Sequence, residues 1–127
     1  VPAFWRANGR KIFISDLLYP GEPSALLAPM TSRGGLSLIL APTLPEEAVL
    51  PETGNVRLKN CESGATRNQY LSSGLSRRYA HAYAVHFELW AAACRRHQAL
   101  FSRIPCNLPL TKALAAEAFS GGAVELA

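Results

Sequence analysis

Prolines divide the hydrophobic and polar pattern of the first part of the chain into short segments. Seven of the nine prolines lie within residues 1–51. A proline inside a helix removes a backbone donor and clashes with the preceding turn, so this spacing excludes long helices before residue 52. The apolar segments between the prolines are therefore expected to form strands and short turns.

Two strand-like segments flank Asn8 and Gly9. Residues 3–6 and 11–15 carry aromatic and β-branched side chains. An Asn-Gly pair is typical of a tight hairpin because both residues tolerate positive φ, so an antiparallel hairpin is predicted here.

Two further strands are predicted downstream of this hairpin. The apolar run over residues 36–40 predicts a buried strand. The alternation of polar and apolar positions over residues 55–59 predicts a strand with one wet face.

The periodicity becomes helical after residue 65. Thr66 and Gln69 fit a capping box at a helix start, and Ser76 is a second candidate cap. No proline or glycine occurs from Arg77 to Ile104, and apolar or aromatic side chains recur there at helical spacing. This stripe consists of Tyr79, Tyr83, His86, Trp90, Cys94, His97, Phe101 and Ile104.

A helix over this whole segment would be about 42 Å long. That is longer than a compact domain of this size is wide, so we expect the helix to break or to project toward a partner. A last short helix is predicted from Thr111 to Phe119, where the following glycines end it.

These elements predict an α+β fold. A small, mostly antiparallel sheet from residues 1–60 is expected to pack against one long C-terminal helix. Residues 66–119 form the helical part, and residues 1–127 form a single domain.

Composition agrees with a folded domain. Hydrophobic residues make up 49% of the chain and charged residues 17%, which suffices for a core and is too little charge for a disordered chain. No apolar run approaches the roughly 18 residues of a membrane span, so no membrane partner is expected. Three cysteines are too few and odd in number for a disulfide framework, which predicts reduced thiols and a cytoplasmic location.

The charge balance favours an anionic partner. The formal net charge is +4, with 13 basic and 9 acidic residues, and 3 of the basic residues are lysines. Arginine makes bidentate contacts with phosphates and carboxylates, so its excess is typical of nucleic-acid or other anion binding. A GC-rich coding sequence produces the same excess, which leaves a purely compositional explanation open.

Five cations are candidates for a nucleic-acid site. Arg6, Arg10 and Lys11 lie in the predicted hairpin, and Arg77 and Arg78 lie at the start of the predicted helix. Phosphate binding gains from the release of counterions, which needs several cations together, so these side chains are expected to share one surface. The alternative is that they are ordinary solvated residues.

Cys94 and His97 are the residues closest to a metal-binding pattern. Their spacing on a helix points two zinc-ligating groups the same way, and Cys61 and Cys106 could complete a site. No Cys-x-x-Cys pair occurs, and both helical residues lie on the apolar stripe. We therefore expect a buried thiol and a core histidine, with no bound metal.

Catalytic patterns are sparse. Motifs typical of nucleotide-binding loops, dinucleotide sites or nucleophile elbows do not occur in the sequence, so no cofactor is expected and an enzyme is disfavoured. A pocket between sheet and helix, with His81, Glu88 and His97 as its polar groups, would favour a small enzyme or ligand-binding domain instead.

One short stretch resembles a known family. The residues at 77–81, Ala84, Leu89 and Trp90 look like part of the guide-RNA-binding backbone subunit of type I-F CRISPR surveillance complexes. The resemblance is confined to residues 77–90, and Ala91–Ala93 stand where that family has Arg-Asn-Arg. No family is assigned from it.

The favoured function from sequence is a non-enzymatic binding module or assembly subunit. Its expected partner is anionic, with nucleic acid as the leading candidate, and a protein partner or a second copy of the chain is an alternative. A small enzyme or ligand-binding domain and a structural subunit of a larger protein complex remain the other hypotheses.

Overall fold

The computed structural model describes residues 4–51, 53–119, 121–123 and 125. These residues form β1 (Lys11–Ile14), α1 (Pro23–Thr31), β2 (Ser37–Thr43), a 3-10 helix (Pro45–Ala48), β3 (Gly54–Lys59), β4 (Thr66–Leu71), α2 (Ser73–Arg96), β5 (Leu100–Pro105) and α3 (Leu110–Ala116). The α+β class and the long helix that the sequence predicts are thus confirmed.

The main sheet is parallel, and the expectation of a mostly antiparallel sheet is wrong for it. Strand β2 lies between β1 and β5, and both pairs run parallel. Parallel neighbours need long crossover connections, which α1 and α2 supply. We call β1, β2 and β5 the parallel sheet, with an amino end where its strands begin and a carboxyl end where they stop.

The predicted hairpin around Asn8 does not form. Asn8 does adopt positive φ, at 54°, but its backbone N–H donates to the carbonyl of Arg33 at 2.8 Å. Residues 4–6 are not part of a strand, and β1 pairs instead with β2. Ala3, the first residue of the predicted hairpin, lies outside the described residues.

Strands β3 and β4 form a separate antiparallel hairpin between β2 and α2. The Asn60 side chain accepts the backbone N–H groups of Glu62 and Ser63, both at 2.9 Å, and so closes its turn. Thr66 therefore begins β4, and the predicted capping box of Thr66 and Gln69 is wrong.

Helix α2 begins at a different cap and ends earlier than the sequence predicts. The Ser72 side chain accepts the backbone N–H of Leu75 at 3.1 Å. At the other end, Gln98 takes a left-handed φ of 55° and the chain turns into β5. Phe101 and Ile104, expected on the helix, lie in that strand.

The core lies between α1, α2 and one face of the parallel sheet. Phe87, Trp90 and Cys94 of α2 are buried there against Leu27 and Ile39. On the other face, α3 packs against the β5 side through Ala113 and Ile104. None of the helices in the described residues combines the length and the hydropathy that a membrane crossing requires.

Candidate functional site

The cations near the N-terminus lie at the amino end of the parallel sheet. Arg6 and Arg10 are exposed there, and the bond from Asn8 to the Arg33 carbonyl adds Arg33 to the same end. Lys11 differs, because it is 3% exposed and its Nζ donates to the carbonyl of Gly34. Lys11 therefore binds the segment between α1 and β2 and is not a surface cation.

Arg77 and Arg78 lie at the opposite end of the sheet. The hydroxyl of the next residue, Tyr79, donates to the carbonyl of Glu47 at 2.6 Å, and Glu47 belongs to the 3-10 helix that follows β2. The helix then runs about 27 Å from Arg78 to Arg96 before the chain reaches the amino end. The five predicted nucleic-acid-binding residues are thus not gathered on one surface.

Arg33 joins Arg6 and Arg10 at the amino end of the sheet, although it was not among the cations predicted from the sequence. A hollow of about 210 Å³ is lined there by Phe4, Trp5, Pro29, Ser32 and Arg33. An aromatic side chain beside a guanidinium offers both a stacking surface and a phosphate contact. The link between Asn8 and Arg33 joins distant parts of the chain, so local sequence patterns gave no signal for it.

The three polar groups of the alternative pocket are also separated. A hollow of about 310 Å³ between α2 and β5 includes Glu88, Phe101 and Arg103 in its lining. His81 is exposed and does not line it. His97 lies at the end of α2, with its Nε2 3.4 Å from the Ser24 hydroxyl.

A third hollow lies at the carboxyl end of the sheet, where open α/β sheets often bind ligands. It has a volume of about 210 Å³, and Thr43, Tyr83, Arg103 and Glu117 are among its lining residues. The Arg103 guanidinium pairs with the Glu117 carboxylate at 3.1 Å. Burial and the neighbouring Glu47 carboxylate raise the pKa of Tyr83 to about 12. The Tyr83 hydroxyl donates to Glu47 Oε2 at 3.3 Å, so Tyr83 and Arg103 both have partners within the chain.

The residues weighed as zinc ligands from the sequence, Cys61, Cys94, His97 and Cys106, are likewise not gathered at one place. Burial raises the pKa of the Cys94 thiol to about 11, which disfavours the thiolate that zinc binds. Cys61 lies in the turn of the β3–β4 hairpin and Cys106 follows β5. The described residues contain no group of three His, Cys, Asp or Glu side chains placed to hold a metal ion.

The outer edge of β1 is the least covered part of the parallel sheet. The backbone N–H groups of Lys11 and Ser15 donate to the carbonyls of Leu36 and Leu40 on the β2 side, so those of Ile12 and Ile14 face outward. The side chains of these isoleucines are 55% and 64% exposed on the face away from α2. We call the backbone edge of β1 together with Ile12 and Ile14 the open edge.

The other edge of the sheet is covered. The outward backbone N–H of Arg103 in β5 donates to Glu117 Oε2 at 2.9 Å, and the Arg103 guanidinium binds the other oxygen of the same carboxylate. A side chain thus occupies a backbone donor that another strand would need. The contrast makes the open edge the best candidate for an interaction site.

Comparison of the chain with protein-family models, with curated proteins and with solved structures found no match in any of the three.

Proposed function

We propose that the chain is a non-enzymatic assembly subunit, in which another polypeptide adds to the parallel sheet at the open edge. The observation that carries the proposal is the exposure of Ile12 and Ile14 on a parallel edge strand. Parallel sheets are normally covered on both faces.

The composition of β1 supports this proposal. Natural edge strands avoid pairing with other chains through charged side chains, prolines or bulges. Lys11 is the charged residue of β1, and it is buried against the Gly34 carbonyl rather than exposed at the edge. An extended segment could therefore bind the β1 backbone and cover both isoleucines.

Site-specific photo-crosslinking in cells tests the proposal. A photoreactive phenylalanine analogue replaces Ile14 in one variant and Leu89 in a matched control. Leu89 is 58% exposed on α2, away from the open edge. We expect one discrete protein adduct from position 14 and none from position 89. Equal or absent adducts at the two positions would contradict the proposal.

A second candidate function is binding of an anionic polymer, with nucleic acid as the leading candidate, at the amino end of the sheet. Arg6, Arg10 and Arg33 are exposed there, and Arg33 lines the same hollow as Trp5. In the part of the chain that the structure describes, the ion pair present is Arg103 with Glu117, so these arginines keep their charge available for a ligand.

Binding of a fluorescent single-stranded oligonucleotide across a salt series tests this second function. Replacing Arg6 and Arg33 together with Gln should lower the salt slope by about two, since each phosphate contact contributes nearly one. The matched control replaces Arg77 and Arg78 together with Gln, which removes the same charge from the other end of the sheet. Equal losses in both variants would indicate non-specific attraction and contradict a site at the amino end.

A further inference from the structure

We infer that the polypeptide at the open edge is a second copy of this chain, paired antiparallel through β1 with Phe13 opposite the same residue of the copy. This inference rests on the proposed function and names its partner. A two-fold axis perpendicular to the sheet relates the two copies, so each copy offers the same surface to the other.

This register places the exposed isoleucines of the two copies opposite each other on the face of the sheet away from α2. Residues directly opposite each other in antiparallel strands lie on the same face of the sheet. With Phe13 at the axis, Ile12 lies opposite Ile14 of the copy, and the reverse pair forms by symmetry. The exposed isoleucines of both chains then form one apolar cluster, which removes them from water.

The same register brings opposite charges together. Arg10 lies two positions before Ile12, and Asp16 lies two positions after Ile14. Each Arg10 therefore lies opposite the Asp16 of the other copy, giving two ion pairs on the same face as the isoleucines. Both residues are exposed, and neither forms an ion pair within the described part of the chain. One Asp16 oxygen accepts the backbone N–H of Leu18 at 3.1 Å, and the other oxygen remains to accept from arginine.

Neighbouring registers lack this complementarity. With the axis at Ile12, Arg10 would lie opposite an isoleucine of the copy, and with the axis at Ile14, Asp16 would do so. Shifting the axis by half a residue would pair Ile12 with Phe13, whose side chain packs into the core on the other face. The chain thus favours the register centred on Phe13.

The expected association is weak and reversible. Strand β1 has four residues, so the paired edge buries less than the roughly 1,200 Å² of a standard interface. Because the dimer is weak, modest changes in the paired charges should change its dissociation constant measurably.

Complementary charge reversal tests the inference by sedimentation equilibrium. Arg10→Glu places like charges at both cross-copy pairs, and so does Asp16→Lys in a separate variant. Each variant alone should dimerise about tenfold more weakly than the unaltered chain, because two attractive pairs become repulsive. An equimolar mixture restores opposite charges at both positions and should recover the affinity.

Circular dichroism and thermal melting check that each variant folds. If Asp16→Lys unfolds through loss of its bond to Leu18, Asp16→Asn keeps an acceptor for that N–H. It should still weaken the dimer, by about threefold. A chain that stays monomeric at millimolar concentration, or variants whose mixture recovers nothing, would overturn the inference.

The crosslinking experiment distinguishes failure of the second-copy inference from failure of the proposed assembly function. An adduct from position 14 with twice the mass of the chain supports both the proposed function and the second copy. An adduct with a different polypeptide keeps the assembly function and overturns the second copy. No specific adduct overturns both.

Discussion

Side chains that are neighbours in the sequence can differ sharply in burial, as Trp90 and Leu89 of α2 do. Trp90 is buried against Tyr19, with ring centroids 6.1 Å apart in an edge-on arrangement. Its indole N–H finds no acceptor among the described residues. Leu89, which helical periodicity places beside the apolar stripe, is mostly exposed instead. The neighbouring pair therefore offers a matched measurement of burial.

We expect Trp90→Ala to lower the free energy of unfolding by about 3–5 kcal/mol, as large-to-small core substitutions do. Leu89→Ala should change it by about 0.5 kcal/mol or less, because that side chain is already in water. Urea denaturation of both variants checks this. Equal losses would mean that the indole is not part of the core.

Gly35 shows why a backbone position can require glycine. Its φ is +82°, and a Cβ there would lie 2.2 Å from the carbonyl oxygen of Gly9. Gly64 has a similar φ of +71°, but a Cβ there would meet nothing within 4 Å. A residue with a side chain would thus be strained at both positions, and at Gly35 its Cβ would also clash with the backbone of Gly9.

We expect Gly35→Ala to destabilise the protein by more than Gly64→Ala, because it adds a clash to the strain. The strain alone costs about 1 kcal/mol. Thermal unfolding of both variants measures the difference. A similar loss in both would show that the loop at Gly9 moves freely out of the way.

At the scale of elements, local signals identified β1, β2, β3 and the long helix, but they assigned the residues of β4 and β5 to helix and did not give the partners of the strands. The apolar run of β2 and the alternation of β3 were predicted and are confirmed. The end of α2 was not predicted, because Gln98 adopts a conformation usually left to glycine. The start of α2 was misplaced because Thr66 and Ser72 both fit a cap by residue type.

Two serines distinguish the actual helix start from a predicted one. The Ser72 side chain accepts the Leu75 N–H, so Ser72→Ala should cost about 1 kcal/mol of stability. Ser76, the other candidate cap from the sequence, lies inside α2. Ser76→Ala should be close to neutral or slightly stabilising, since alanine favours helix interiors. Chemical denaturation of both variants measures this difference. A larger loss of stability in Ser76→Ala than in Ser72→Ala would contradict the assignment.

At the scale of the whole molecule, the features that the sequence did not predict are those in which distant residues meet. The parallel pairing of β1 with β2 replaces the expected local hairpin, and no local pattern distinguishes the two. For the same reason Arg6 and Arg77 lie at opposite ends of the sheet, and Arg33 lies at the same end as Arg6 without a local signal in the sequence. The separation of cations follows from the direction of α2, which only the complete fold determines.

The fold also predicts an order of local stability. Ile39 and Ala41 of the central strand β2 are fully buried, whereas the β3–β4 hairpin is mostly exposed. Amides of β2 should therefore exchange with deuterium most slowly, and those of the hairpin among the fastest. Exchange followed by mass spectrometry checks this. Comparable protection in the hairpin would indicate packing against a further surface.

The pairing of β2 with β5 has a consequence for the time at which the chain can fold. Leu38 lies beside Leu100 in the finished sheet, so about sixty residues must be synthesised after β2 before its second neighbour exists. Contacts this distant along the chain form slowly, because the entropy of closing the loop is lost before any of the contact energy is gained. The apolar face of β2 lacks α2 until residue 96 has left the ribosome, and β2 lacks β5 beside it until residue 105 has done so. The interval of synthesis, rather than a weak contact in the native fold, is thus when this chain is most prone to aggregate.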